Sequence, residues 1–151
     1  MRVDFYHLVK NSLEETSSLL LSKAYSAGNK MLLLVASEGK AEELSDYLWN
    51  YKDESFLPHG TVKDGFKDKH PIFITSDIAE NMNEANILVL ADGVVLSNEK
   101  LNDYDRVLNI FDGNSISAVD QAREFWKQLK SSGSDLHYWQ QDANGSWKEK
   151  A

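Results

Sequence analysis

The chain of 151 residues contains no cysteine, which excludes disulfides and thiolate metal sites. No apolar run approaches 18 residues, the length of a membrane-spanning helix. The start, Met1-Arg2-Val3-Asp4, lacks the basic and apolar regions of a secretion signal, so cytoplasmic residence is the expectation. Glycine-rich phosphate loops are missing: neither G-x-G-x-x-G nor G-x-x-x-x-G-K-[ST] occurs. ATP and dinucleotides are therefore not expected, nor is any other cofactor. There is no G-x-S-x-G motif for a nucleophilic serine. The four histidines, His7, His59, His70 and His137, are far apart, and none has the i, i+4 spacing of a helical metal pair. Each is expected at the surface or in a hydrogen bond. Positive charge is also scarce. The net charge is −8, and the only arginines are Arg2, Arg106 and Arg123. An acidic surface repels the phosphate backbone, so any role at DNA should run through another protein.

Length and an apolar fraction of 42% suffice for one domain with a real core. Residues 3–8 alternate aromatic and β-branched side chains and predict a strand. Asn11 with Glu14, or Ser12 with Glu15, has the spacing of a capping box. Leu13, Thr16, Leu20, Ala24 and Ala27 follow at helical spacing, with Leu19, Leu21 and Tyr25 widening the stripe. Gly28-Asn29 ends that helix. Residues 30–36 are an apolar run that favours a strand buried on both faces. A second helix over 40–51 places Ala41, Leu44, Tyr47, Leu48 and Tyr51 on one face, with Trp49 beside it. Residues 60–70 read as a surface loop, 77–80 as one helical turn, and 94–102 as a short helix or a loop. Further strands are predicted over 71–75, 86–92 and 106–112. Ser115 or Ser117 caps a long helix over 116–130, which Gly133 stops. Residues 138–141 add an edge strand, and residues 143–151 are expected to fray. This alternation predicts an α/β chain: a Rossmann-like, parallel or mostly parallel sheet with helices on both faces and no nucleotide site.

Two stretches carry candidate contacts. Residues 46–59 hold Tyr47, Trp49, Tyr51 and Phe56, more rings than a helix end and loop readily bury, followed by Pro58. Exposed aromatics beside an apolar patch mark a partner site; the alternative is that Leu48, Trp49 and Phe56 cap the core. On the last helix, Arg123 lies three residues before Trp126 and four before Lys127, so the three share a face. Phe111 ends the preceding strand and is placed to wall a pocket there. A guanidinium beside an aromatic wall suits a peptide ending in an apolar side chain and a free carboxylate. Arg106 adds charge from the same strand–helix unit. The alternative buries Phe125 and Trp126 in the core and leaves Arg123 solvated. Two other functions compete. An enzyme would use Asp92 or Asp112 at strand ends, although Asp there more often makes a turn. An oligomerisation module would bury Trp49 and Phe56 in a symmetric interface.

Three segments carry a resemblance: Leu48-Trp49 with Glu54-Ser55-Phe56-Leu57-Pro58-His59, Asp4-Phe5-Tyr6-His7-Leu8, and Ala122-Arg123-Glu124-Phe125-Trp126-Lys127. Together they resemble the chi subunit family of bacterial DNA polymerase III, accessory proteins of the clamp loader. The resemblance implies a non-enzymatic adaptor that binds the acidic, phenylalanine-ended tail of the single-stranded-DNA-binding protein. It carries the tail-binding arginine onto Arg123, the aromatic onto Trp126 and the apolar wall onto Phe111. A family lysine one turn earlier is replaced by Val119, for which Lys127 or Arg106 would compensate. It also implies that Trp49 and Phe56, with Pro58 stiffening the loop, contact the psi subunit or another clamp-loader or helicase partner.

Overall fold

The computed structural model describes residues 2–50, 60–61, 71–76, 84–91, 93–94 and 96–150, with the side chains of Trp49, Asn50 and Asn98 outside that description. Its elements are β1 (Arg2–Leu8), α1 (Leu13–Ser26), β2 (Met31–Leu34), α2 (Glu38–Asn50), β3 (Gly60–Thr61), β4 (Ile72–Thr75), β5 (Ile87–Leu90), α3 (Asn98–Leu101), β6 (Arg106–Asp112), α4 (Ile116–Ser131), β7 (Asp135–Gln141) and β8 (Trp147–Glu149). The strands join one eight-stranded sheet in the order β3-β4-β2-β5-β6-β1-β7-β8. Every described pairing is parallel except that of β7 with β8. The α/β architecture expected from the alternation is therefore the one found.

The central strands are apolar because both faces are covered. All four residues of β2 and all four of β5 are buried. Val3, Phe5, Leu34, Leu90, Val107 and Phe111 pack in one core with Ala122, Phe125 and Leu129 of α4. Leu33, Ile74, Val89 and Ile110 pack on the other face with Leu21 of α1 and Leu44 of α2. Right-handed crossovers require this split. The chain crosses the sheet in one direction through α1 and α2, and in the other through α3 and α4. No helix among the described residues is long and apolar enough to cross a membrane.

Local signals decide the ends of the helices. Ser12, not Asn11, is the N-cap of α1, its Oγ accepting the Glu15 amide at 3.1 Å. The Asn11 amide side chain instead donates to the Glu15 carboxylate at 2.8 Å. Ser115, not Ser117, caps α4. Gly28 follows α1 at φ +86°, a left-handed turn in which Asn29 N–H reaches the Ala24 carbonyl at 3.1 Å.

Several expectations need correction. The stripe of α1 is rotated: Thr16, Ser17, Ser18 and Leu21 are buried, while Leu19 and Tyr25 are exposed. Small hydroxyl side chains let the helix sit close to the sheet, and Ser18 Oγ satisfies itself on the Glu14 carbonyl at 2.7 Å. Residues 60–61, assigned to a loop, pair with β4. Of the short helix or loop left open over 94–102, the described residues form a helix at Asn98–Leu101. The C-terminal strand is not an edge: β7 lies between β1 and β8. The expected frayed tail contributes β8 instead, with Trp147 packed on Tyr6 at 5.5 Å. The antiparallel ladder to β7, the Lys150 amide on the Tyr138 carbonyl at 2.7 Å and the Trp147 ring hold the tail together. The helical turn predicted at 77–80 lies outside the described residues.

Candidate functional site

Parallel pairing of β1 with both β6 and β7 brings together side chains distant in sequence. Phe5 and His7 alternate onto the α4 face of the sheet. Phe5 meets Phe125 at 5.6 Å, Trp126 edge-on at 5.2 Å and Tyr138 at 6.3 Å between ring centroids. Tyr138 in turn contacts Trp126 at 5.8 Å and Phe111 at 6.1 Å, and His7 contacts Phe111 at 5.2 Å. Such ring pairs hold geometry as well as area. His7 Nδ1 and the Tyr138 hydroxyl are hydrogen-bonded at 2.6 Å.

Arg123 borders this cluster from α4. It is exposed and has no hydrogen-bond or ion-pair partner among the described residues. Its charge acts on both polar members. Burial, then the Arg123 guanidinium, hold His7 below the ordinary histidine range. Burial pushes the Tyr138 phenol up, and Arg123 opposes it in part. The shift favours the neutral imidazole, so His7 adds little positive charge beside Arg123. Gly113 is required beneath it, because a Cβ there would collide with the His7 ring and the Leu8 carbonyl.

The predicted residues separate into groups. Arg123 and Trp126 do share a flank, with Trp126 half-buried against the core. Phe111 is 4% exposed and reaches Trp126 only through Tyr138. The crevice of 290 Å³ that Phe111 lines faces Gly93, Ala118 and Gln121, on the other flank of α4. Lys127 lies in solvent, 3.5 Å from Glu124. Val119 packs against the core one turn before Arg123. Arg106 does not join the group. It begins β6 on the α1 face and binds Asp4 Oδ2 through Nε at 2.8 Å. Period-two alternation places it on the opposite side of the sheet from Phe111. Of the second candidate set, Trp49 lies in α2 with its side chain outside the description, and Phe56 and Pro58 lie outside the described residues. So does Asp92. Asp112 Oδ1 accepts the Asn114 amide at 2.9 Å, the turn role expected of such an aspartate.

Two members of the cluster were not picked out from sequence. His7 had a usable signal, its alternation with Phe5. Tyr138 had none, since nothing local shows that β7 lies beside β1.

The turn after β1, where a doubly wound sheet offers backbone donors to phosphate, is already filled. Gln141 Oε1 accepts the amides of Val9, Lys10 and Asn11 at 3.2, 2.9 and 3.0 Å. Its Nε2 donates to Asn11 Oδ1 and to the Gly145 carbonyl.

Residues 1–137 match the family described as DNA polymerase III chi subunit, HolC. The chain is 32% identical over 85 residues to a "Probable DNA polymerase III subunit chi" of Rickettsia prowazekii (strain Madrid E), covering 56% of this chain and 51% of that protein. The match therefore spans about half the length of that relative. It is 25% identical over 135 residues to "DNA polymerase III subunit chi" of Haemophilus influenzae (strain ATCC 51907 / DSM 11121 / KW20 / Rd), covering 87% of this chain and 92% of that one. With the match running from β1 through α4, the chain belongs to the DNA polymerase III chi subunit family, a family of replication accessory subunits.

Proposed function

We propose that the chain is a non-catalytic adaptor that captures the acidic, phenylalanine-ended C-terminal tail of the single-stranded-DNA-binding protein. The supporting observation is Arg123, an exposed guanidinium without a described partner beside the edge of the Trp126–Tyr138 pair. A guanidinium receives a terminal carboxylate through two parallel hydrogen bonds. The neighbouring rings take the phenyl group. Trp126 and Arg123 carry this contact, Phe111 supports it from within the core, and Lys127 adds screened charge. Val119 supplies packing where a cation would have supplied attraction.

The residues Trp49, Phe56 and Pro58 form the second contact, to a psi subunit or another clamp-loader or helicase partner. Two weak contacts made at once raise the effective concentration of each partner at the other.

A fluorescent peptide ending in the acidic, phenylalanine-terminated sequence tests the first contact. Saturable binding is expected, with loss on deleting the final phenylalanine and a loss of roughly tenfold or more in Arg123→Ala. Equal binding by the truncated peptide, or an unaltered affinity in Arg123→Ala, overturns the reading.

A further inference from the structure

The α1 face carries a second groove, on the far side of the sheet from Arg123. It has a volume of 360 Å³, and its walls include Tyr6, Trp139, Trp147, Leu19, Lys23 and Arg106. Two features set it apart from an ordinary surface fold. No described residue lining it is acidic, in a chain of net charge −8. Its apolar surface also continues outward, because Leu19 stands 39% exposed on its rim.

The charge in the groove is held in place. Asp4 is fully buried, and Arg106 Nε donates to its Oδ2 at 2.8 Å while Trp139 Nε1 donates to its Oδ1 at 3.0 Å. Arg2 closes the cluster on the same carboxylate at 3.0 Å. Asp135, opposite Arg2 in the register, acts on that guanidinium from the strand next to it, so the positive charge of the groove itself rests on Arg106 and Lys23 in its lining. Tyr6 lines the groove together with Arg106. With five N–H donors on an arginine, these contacts leave donors for an incoming carboxylate. A guanidinium already fixed by a buried partner loses little freedom on binding one.

The ring walls come partly from beyond residues 1–137, the segment that matches the chi family. Trp139 is in β7 and Trp147 in β8, where Trp147 stands edge-on to Tyr6 at 5.5 Å. The groove is therefore completed by the C-terminal hairpin of this chain.

We infer that this groove is a docking site for an acidic segment of a partner protein, with one aromatic side chain seated against the wall that Tyr6, Trp139 and Trp147 form and a flanking carboxylate on Arg106 and Lys23. Charge complementarity selects the acidic segment. The volume accommodates one large side chain, and the exposed Leu19 beside it extends the contact beyond what a small molecule covers. The contact is independent of the Arg123 site, since the two lie on opposite faces.

The test uses the full chain, isotope-labelled, and an amidated peptide carrying one tryptophan between acidic residues. Amidation removes the terminal carboxylate that the Arg123 site would recognise. Saturable shifts are expected in the amides of α1, β6 and β7, weakening as salt rises. Lys23→Glu should weaken binding roughly tenfold, and Ala24→Trp, which fills the groove, should abolish it. Arg123→Ala should leave this binding unchanged while removing that of the phenylalanine-ended tail, so either site fails without the other. No binding at low salt, shifts confined to α4, equal binding of a peptide with neutral flanks, or indifference to Lys23→Glu overturns the inference. Lys23 lies on the rim, so that variant stays informative if Ala24→Trp does not fold.

Discussion

Asp4 shows how a single residue ties strands together. Burial pushes its carboxyl up, but the hydrogen bonds from Arg2, Arg106 and Trp139 outweigh it and hold the group below the usual carboxylate range. The stabilisation is therefore fully present above the unfolded carboxylate pKa of about 3.9 and is lost as pH falls through the lower folded value. Asp4→Asn should lower stability by about 2 kcal/mol at pH 7, measured by urea unfolding, and should flatten the loss of stability in acid. An unchanged acid limb would show that Asp4 titrates normally. His7 reports the other face. Because burial leads its downward shift and Arg123 follows, Arg123→Ala should raise its midpoint in an NMR titration yet leave it below the ordinary value. A midpoint that does not move would place Arg123 away from the ring cluster. Gly113→Ala, which forces a Cβ into His7 and the Leu8 carbonyl, should cost roughly 1–3 kcal/mol in the same unfolding assay.

At the scale of elements, the C-terminal hairpin stabilises the loop between β1 and α1. Gln141 at the end of β7 accepts three successive backbone amides there. Removing that acceptor leaves three partly buried donors without their partner, each worth up to about 1–3 kcal/mol. Gln141→Ala should therefore destabilise the chain by roughly 2–4 kcal/mol and speed amide exchange at residues 9–11. Normal protection of those amides would show that water replaces the side chain. The pairing of β8 with β7 has its own titrating contact, His137 Nδ1 to Glu149 at 2.7 Å. That hydrogen bond raises the His137 pKa. The contact stabilises the hairpin below the unfolded histidine pKa of about 6.5 and fades as pH rises through the higher folded value. Glu149→Gln should bring the His137 midpoint back toward 6.5, and an unchanged midpoint would remove Glu149 as the cause.

Across the whole molecule, charge and shape divide the work. A net charge of −8 opposes the nucleic-acid backbone, so the isolated chain should show no binding to a labelled single-stranded oligonucleotide at low salt. Retention on such an oligonucleotide would mean that a local field overrides the net charge. Cations at the two candidate contacts stand on opposite faces, Arg123 on α4 and Arg106 at the start of β6. The sheet between them is what separates them.

Class, the six longer strands, the starts of the three longer helices to within two residues and the lack of a phosphate-loop motif were legible in the sequence, because each depends on a few adjacent residues; the short strands β3 and β8 were not. The apolar runs of β2 and β5 read directly as buried strands, and the capping-box spacing narrowed the start of α1 to Asn11 or Ser12, of which the fold uses Ser12. Arg123 and Trp126 were recoverable because helical spacing puts them on one flank. Partnership between distant strands was not legible. Neither the seat of Tyr138 beside His7, nor the removal of Arg106 to the other face, nor the return of Trp147 onto Tyr6 follows from local pattern. Each depends on β7 entering beside β1 and on which face a residue's register gives it, and those are decided only when the whole sheet closes around its two cores.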